Sequence, residues 1–163
     1  MEDIVRAMTP DVYRYAYWLC RDRSVAEDLT QETFLRAWAS LASLRDPGAV
    51  KAWLLQIARN EYLRRLQRRR PEVDESVALE DLSHAYEADY AGDMDVRHAL
   101  GTLPVSLREP LVLQVLGGYT GAEIGTMIGV SEDAALTRIA RAKLALRKLL
   151  QRPLTQARKR KAL

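Results

Sequence analysis

Residues 120 to 141 read Thr-Gly-Ala-Glu-Ile-Gly-Thr-Met-Ile-Gly-Val-Ser-Glu-Asp-Ala-Ala-Leu-Thr-Arg-Ile-Ala-Arg, and they place two helix starts around one helix stop. Thr120 is positioned to cap a first helix, with Glu123 three residues on to complete a capping box. Ile124 and Ile128, four apart, mark its buried side, and Gly129 supplies the positive-φ position that ends it. Val130 fills the corner. Ser131 then caps a second helix whose buried stripe is Ala135, Ile139, Ala142 and Leu146. This is a helix-turn-helix pattern. At about 100° per residue, Asp133, Ala134, Arg141 and Lys148 cluster around Thr137, with Arg138 at the flank. Small and cationic side chains on that outer face suit a DNA major groove. A plain αα-hairpin has the same spacing, so the segment alone leaves both readings open.

With 163 residues and a hydrophobic content of 48%, the chain can form one medium domain or two small ones. No run approaches the roughly 20 apolar residues of a membrane span, so no membrane insertion is expected. The start, Met-Glu-Asp-Ile-Val-Arg, has no basic leader followed by an apolar block. No signal peptide is expected, and a cytoplasmic protein fits. Cys20 is the only cysteine and reads as a small apolar residue rather than a redox centre. No Cys/His cluster has metal-ligand spacing, so neither a metal nor a cofactor is expected.

A formal charge of +3 hides a three-part pattern. Residues 1 to 71 carry 13 Lys/Arg against 9 Asp/Glu, and residues 96 to 163 carry 12 against 4. Between them, residues 72 to 95 hold nine acids (Glu72, Asp74, Glu75, Glu80, Asp81, Glu87, Asp89, Asp93 and Asp95) and no lysine or arginine. Two basic bodies joined by an acidic strap suggest a polyanion held at two places.

Helical periodicity dominates, and no stretch alternates cleanly enough for a strand. The spacing predicts helices over Asp3 to Cys20 and, behind a Ser24–Glu27 capping box, to about Leu41. A third starts at Asp46-Pro47 and runs through the arginines to Arg70, where Pro71 stops it. Residues from Glu72 to about Gly92 lack apolar periodicity and read as a linker. A short helix follows near Asp95 to Thr102. A Ser106–Glu109 capping box opens the next, which ends near Leu116 at Gly117-Gly118. Gln151 to Leu163, with Pro153 and Arg158-Lys-Arg-Lys161, read as a frayed basic tail. The expected fold is therefore all-α: two small helical domains, residues 1–71 and 95–150, joined by a flexible acidic linker over 72–94 and followed by a tail over 151–163.

Two helix faces stand out. On the second helix, Gln31, Glu32, Leu35 and Ala39 fall within about 60° of Asp28, while Ala26, Leu29, Thr33, Phe34, Ala37 and Leu41 form a core stripe opposite. Leu35 is a large apolar residue ringed by Asp28, Gln31, Glu32 and Arg36. A solvated face and a partner-binding spot both fit it. On the third helix, Trp53, Gln56, Arg64 and Gln67 lie within about 40° of Asn60, opposite Leu54, Leu55, Ala58, Tyr62 and Leu66. Rings stack on bases, amides bond to base edges and arginines meet phosphates, so this line suits nucleic acid. Trp53 as a partly buried core residue is the plainer alternative.

In this order the pieces resemble a bacterial RNA polymerase sigma factor of the extracytoplasmic-function (ECF) group, over roughly residues 5 to 150. Ala26-Glu-Asp-Leu-Thr-Gln-Glu-Thr-Phe-Leu-Arg-Ala-Trp38 is similar to the family's core-binding signature. Trp53-Leu-Leu-Gln-Ile-Ala-Arg-Asn60 and its basic sequel resemble the helix that reads the −10 promoter element. Ala99-Leu-Gly-Thr-Leu-Pro104, Arg108-Glu109, the helix-turn-helix and Arg141-Ala-Lys143 resemble the −35 reading domain. The resemblance implies a sigma region 2 and a sigma region 4, with no catalytic residues and no cofactor. It implies core polymerase contacts at Asp28, Gln31, Glu32, Leu35 and Arg36. It implies −10 contacts at Arg45, Asp46, Trp53, Gln56, Asn60 and Arg64, with Asn60 and the loop Leu44 to Ala49 capturing a flipped base. It implies −35 contacts at Ala134, Thr137, Arg138, Arg141 and Lys143. The implied partners are promoter DNA, the core enzyme through the clamp helices of its largest subunit and the flap of the second-largest, and an anti-sigma factor. The linker would thread the polymerase channel.

Some positions depart from the pattern. The recognition helix begins Asp133-Ala-Ala-Leu136 where the family has Gly-Thr-Val and a cation, and Leu54 replaces an aromatic residue of housekeeping relatives. Gly125 stands where alanine is usual, a change that lowers helix propensity by about 1 kcal/mol. Two other classes compete. A stand-alone dimeric helix-turn-helix regulator would need an apolar dimer face. An enzyme would need partners for His84 or His98, and no sequence signature supplies them.

Overall fold

The computed structural model describes residues 1–69 and 96–161, with side chains as far as Gln151. The acidic segment over 72–94, Arg70 and the Pro71 stop lie outside the described residues. Among the described residues the fold is all-α, in two helical units.

The first unit holds α1 (Glu2–Cys20), α2 (Arg23–Ala39) and α3 (Val50–Arg69). Pro10 sits inside α1 without ending it. Arg21 terminates α1 in the left-handed region at φ 58°, its N–H donating to the Tyr17 carbonyl. The start of α2 differs from expectation. Asp22, not Ser24, is the cap, its carboxylate accepting from the Val25 N–H at 3.0 Å. A carboxylate at this end also meets the positive pole of the helix, which serine does not offer. α2 ends at Ala39, and Leu41–Ser43 tighten into a 3₁₀ turn that leaves Leu41 44% exposed, off the core stripe expected for it. Asp46 caps a second 3₁₀ turn, Pro47–Ala49, by accepting from the Gly48 N–H at 2.8 Å, and α3 follows it directly. Val12, Tyr15, Ala16, Leu19, Ala26, Leu29, Ala37, Leu54, Leu55, Ala58 and Tyr62 close the core.

The second unit holds α4 (Val96–Thr102), α5 (Val105–Gly117), α6 (Gly121–Ile128) and α7 (Glu132–Lys161). Here too one expected cap is absent. α5 starts at Pro104 with no side-chain cap, and Glu109 points elsewhere. Gly118, at φ 64°, stops it. α6 has the expected capping box: Glu123 N–H donates to Thr120 Oγ1 at 3.2 Å, and Thr120 N–H donates to Glu123 Oε2 at 2.7 Å. Gly129 ends α6 at φ 75°, and Ser131 Oγ accepts from the Ala134 N–H at 3.1 Å to start α7. Ile124, Ile128, Ala135, Ile139 and Ala142 are buried, as the spacing required, and Leu146 is half-buried.

α7 does not fray at Gln151. Its backbone stays helical through Pro153 to Lys161, so the basic tail continues the second helix of the helix-turn-helix. The run is rich in strong helix formers (Leu154, Gln156, Ala157 and the terminal Lys/Arg), which offsets one proline.

Candidate nucleic-acid and polymerase interfaces

The α2 candidates form one surface. Asp28, Gln31, Leu35 and Arg36 are exposed and Glu32 is half-buried. Leu35 is 72% exposed, and Trp38, three residues further along the helix, is 65% exposed. Two large apolar side chains one turn apart, inside a polar rim, make an anchor of the kind that drives protein–protein contact. In the sequence Trp38 closes the Ala26–Trp38 motif, and its place one turn beyond Leu35 is the signal for its role in this ridge.

Two of these residues are already tied to α3. Buried Glu61 accepts from Arg64 Nη1 at 2.6 Å and forms an ion pair with Arg36, whose Nε lies 3.1 Å away. Arg65 reaches Asp28 at 3.7 Å. Glu61 is 5% exposed, and an acid so buried needs such partners. It therefore sets the side-chain directions of one α2 candidate and one α3 candidate together.

On α3 the expected line is present, with one qualification. Asn60, Arg64 and Gln67 are exposed, while Trp53 and Gln56 are half-buried, and Trp53 packs on the core as well. Gln56 Nε2 donates to Asn60 Oδ1 at 3.4 Å. In the preceding loop Arg45 is exposed, and the Asp46 carboxylate is occupied by its own turn.

In the helix-turn-helix, Thr137 and Arg141 are exposed on α7, and Ala134 and Arg138 are half-buried beside them. Lys143 is exposed but sits roughly 120° around the helix from Thr137, so it does not share that line. Two departures from the family pattern acquire a physical reason here. A Cβ on Gly125 would lie 2.7 Å from the Val130 carbonyl oxygen, so the corner closes tightly on a bare backbone. A Cβ on Gly121 would meet Leu136 Cδ2 at 2.6 Å, so Leu136 is spent covering the start of α6.

What the sequence did not reveal is a buried polar seam between the two units. Glu109, 3% exposed, accepts from Tyr15 Oη at 2.8 Å and from Arg59 Nε at 2.6 Å. Its neighbour Arg108, 4% exposed, donates to the carbonyls of Trp18 (2.5 Å) and Leu19 (3.3 Å) at the end of α1, and to those of Gly101 (3.3 Å) and Leu103 (2.7 Å) in its own unit. Lys51 Nζ donates to the Leu116 carbonyl at 3.1 Å and pairs with Asp11 at 3.2 Å. Burial pulls the Arg108 guanidinium down to about 10, so its charge survives at neutral pH only against a penalty, which the carbonyls offset. Adjacent opposite charges within the otherwise uncharged α5 are the signal for this seam in the sequence.

Sequence models of sigma-70 region 2 and sigma-70 region 4 match residues 4–72 and 93–146. The ECF RNA polymerase sigma factor SigE of Mycolicibacterium smegmatis is 35% identical over 158 residues, covering 91% of this chain and 61% of that protein. SigM of Bacillus subtilis, also an ECF RNA polymerase sigma factor, is 31% identical over 157 residues, covering 93% of this chain and 96% of its own. In solved structures, the sigma factor RpoE of Bartonella quintana, crystallised in complex with the anti-sigma factor NepR, superposes with a TM-score of 0.72 at 26% identity, over 93% of this chain and 96% of that one. The chain belongs to the ECF RNA polymerase sigma factors.

Proposed function

We propose that this chain gives core RNA polymerase its promoter choice and has no catalysis of its own. The observation that carries the reading is the coexistence of two unlike surfaces on one chain: the Leu35–Trp38 ridge on α2 and the Thr137–Arg141 line on α7. The first suits a protein partner and the second a DNA groove. In this reading Asp28, Gln31, Glu32, Leu35 and Arg36 meet the clamp helices of the largest polymerase subunit. Arg45, Asp46, Trp53, Gln56, Asn60 and Arg64 read and hold the −10 element. Ala134, Thr137, Arg138, Arg141 and Lys143 serve the −35 element, with region 4 resting on the flap of the second-largest subunit. Residues 1–71 act as region 2 and 95–150 as region 4, with 72–94 linking them and 151–163 adding positive charge. The chain then works in the cytoplasm, where polymerase and chromosome are. An anti-sigma factor as regulator is supported by the solved relative, which was captured with one. The sigma-factor relatives support this reading over a stand-alone dimeric regulator.

Run-off transcription with matched core enzyme and genomic fragments tests it. Transcripts appear at promoters where core alone is silent, and their absence would overturn the reading. Glu32→Lys weakens core pull-down while the protein stays helical. A normal pull-down by that variant removes the α2 assignment. Arg141→Ala weakens promoter binding by about 1–3 kcal/mol if the side chain reads a base. An equal loss on all sequences makes it a phosphate contact.

A further inference from the structure

We infer that Leu136, Thr137 and Ala140 of α7 form an apolar triangle that selects thymine in the −35 element by packing on its C5-methyl group. The inference rests on the promoter-reading role proposed above. Leu136 and Ala140 lie one turn apart, as do Thr137 and Ala140, so the side chains adjoin. They span about 100° of the helix, on the side away from buried Ala135, Ile139 and Ala142. All of them are exposed, Leu136 at 45%. Leu136 is held in place there. Its isobutyl group lies over Gly121 at the start of α6, where a Cβ would fall 2.6 Å from Cδ2 and 2.8 Å from Cγ. Only a bare backbone lets the leucine seat so closely, and that seat leaves its other side open beside Thr137. The triangle is thus preformed, and a preformed apolar surface loses little side-chain freedom on binding.

The chemistry of the major groove offers such a surface one complement. Phosphates give an apolar side chain nothing, and contacts to them carry no sequence information. Among base edges in the groove, guanine, cytosine and adenine present hydrogen-bonding groups, whereas thymine adds a C5-methyl. Alanine and the threonine methyl are the kind of side chain that meets it. The neighbours favour DNA over a protein as the occupant. Arg141 is exposed next to Ala140, and Arg138 is half-buried next to Thr137, so cations that suit phosphates flank the triangle. Asp133, exposed in the first turn of α7, cannot take a phosphate, so this end of the helix meets base edges rather than backbone. Leu136 therefore contributes a contact that specifies rather than one that positions.

Uracil in place of thymine removes only that methyl, which makes it the probe. The full-length chain is assembled with core polymerase, and affinity is measured on a promoter fragment mapped by run-off. Thymines of its −35 element are replaced singly by uracil on either strand. At one position or more, uracil weakens wild-type binding about fourfold, the equivalent of about 0.8 kcal/mol for one buried methyl. Leu136→Ala binds the thymine fragment about fourfold more weakly, or worse, and no longer distinguishes uracil. Its salt dependence is unchanged, because an apolar contact releases no counterions. A merely structural role for Leu136 lowers affinity for both fragments and leaves their ratio intact, and that result overturns the inference. So does an element without thymine, or one in which uracil has no effect. If Leu136→Ala weakens core binding in the absence of DNA, the triangle docks on polymerase and the inference falls. Thr137→Ser deletes one exposed methyl and keeps the hydroxyl, so it decides if Leu136→Ala does not fold. A reduced thymine-to-uracil ratio then supports the inference, and an unchanged one overturns it. A working promoter indifferent to uracil fails this inference alone, whereas a chain that directs no transcription fails the functional reading and the inference with it.

Discussion

Arg59 and Glu109, fifty residues apart in the chain, meet at 2.6 Å across the boundary between the two helical units. Both side chains are largely buried, with 13% and 3% of their surface exposed. Removing one partner leaves the other charged and dry, which typically costs about 3–5 kcal/mol. Glu109→Ala should therefore destabilise the chain by about 3 kcal/mol in denaturant unfolding. In a double-mutant cycle with Arg59→Ala, the coupling should be about 1–3 kcal/mol. Strict additivity would mean the units are not docked in solution.

Leu35→Ala together with Trp38→Ala removes the exposed apolar ridge of α2. Neither side chain is buried, so the melting temperature should stay within a few degrees. Affinity for core polymerase should fall by about 2 kcal/mol or more, about 30-fold, if the pair is the anchor of that contact. Surface-immobilised core enzyme measures this directly. Unchanged binding would move the anchor elsewhere on the chain.

Gly125→Ala opposes two effects at the helix-turn-helix corner. Alanine favours helix by about 1 kcal/mol. Against that, the new methyl would sit 2.7 Å from the Val130 carbonyl oxygen, which already accepts no slack because Val130 N–H donates back to the Gly125 carbonyl at 2.9 Å. Overpacking of this kind costs about 1–3 kcal/mol. The net expectation is a small loss of stability, about 1 kcal/mol, seen as a lower melting temperature. A rise would show that the corner yields freely.

Tyr15 and Tyr62 should resist ionisation. Burial raises both phenols above the ordinary value of 10.0, and for Tyr15 the neighbouring Glu109 carboxylate adds to the effect. Their native values exceed the unfolded one, so this contribution to stability is whole below about pH 10 and is lost as pH climbs toward the native values. Tyrosinate absorbance should show part of the seven tyrosines titrating late, together with unfolding. Tyr15→Phe should remove one late phenol. A single titration of all seven near the ordinary value would contradict the burial.

The helix-turn-helix was legible because its determinants are local. Thr120, Glu123, Gly129 and Ser131 each act within four residues of themselves, so spacing alone identifies them. The exposed Leu35 followed from periodicity in the same way. Glu109 was misread because three-residue spacing from Ser106 imitates a cap, while its real partners are 94 and 50 residues away. Glu61 was missed for a related reason. It lies on the core side of α3, where an acid is unexpected, and only the folded packing of α2 brings Arg36 to it. Local chemistry is written in the sequence, whereas the pairing of distant charges is decided by topology.

With the units clasped, Asn60 and Arg141 both still face solvent. The clasp uses charge to join the units without covering either polar line, so each line keeps its own access to water while the boundary between the units is dry.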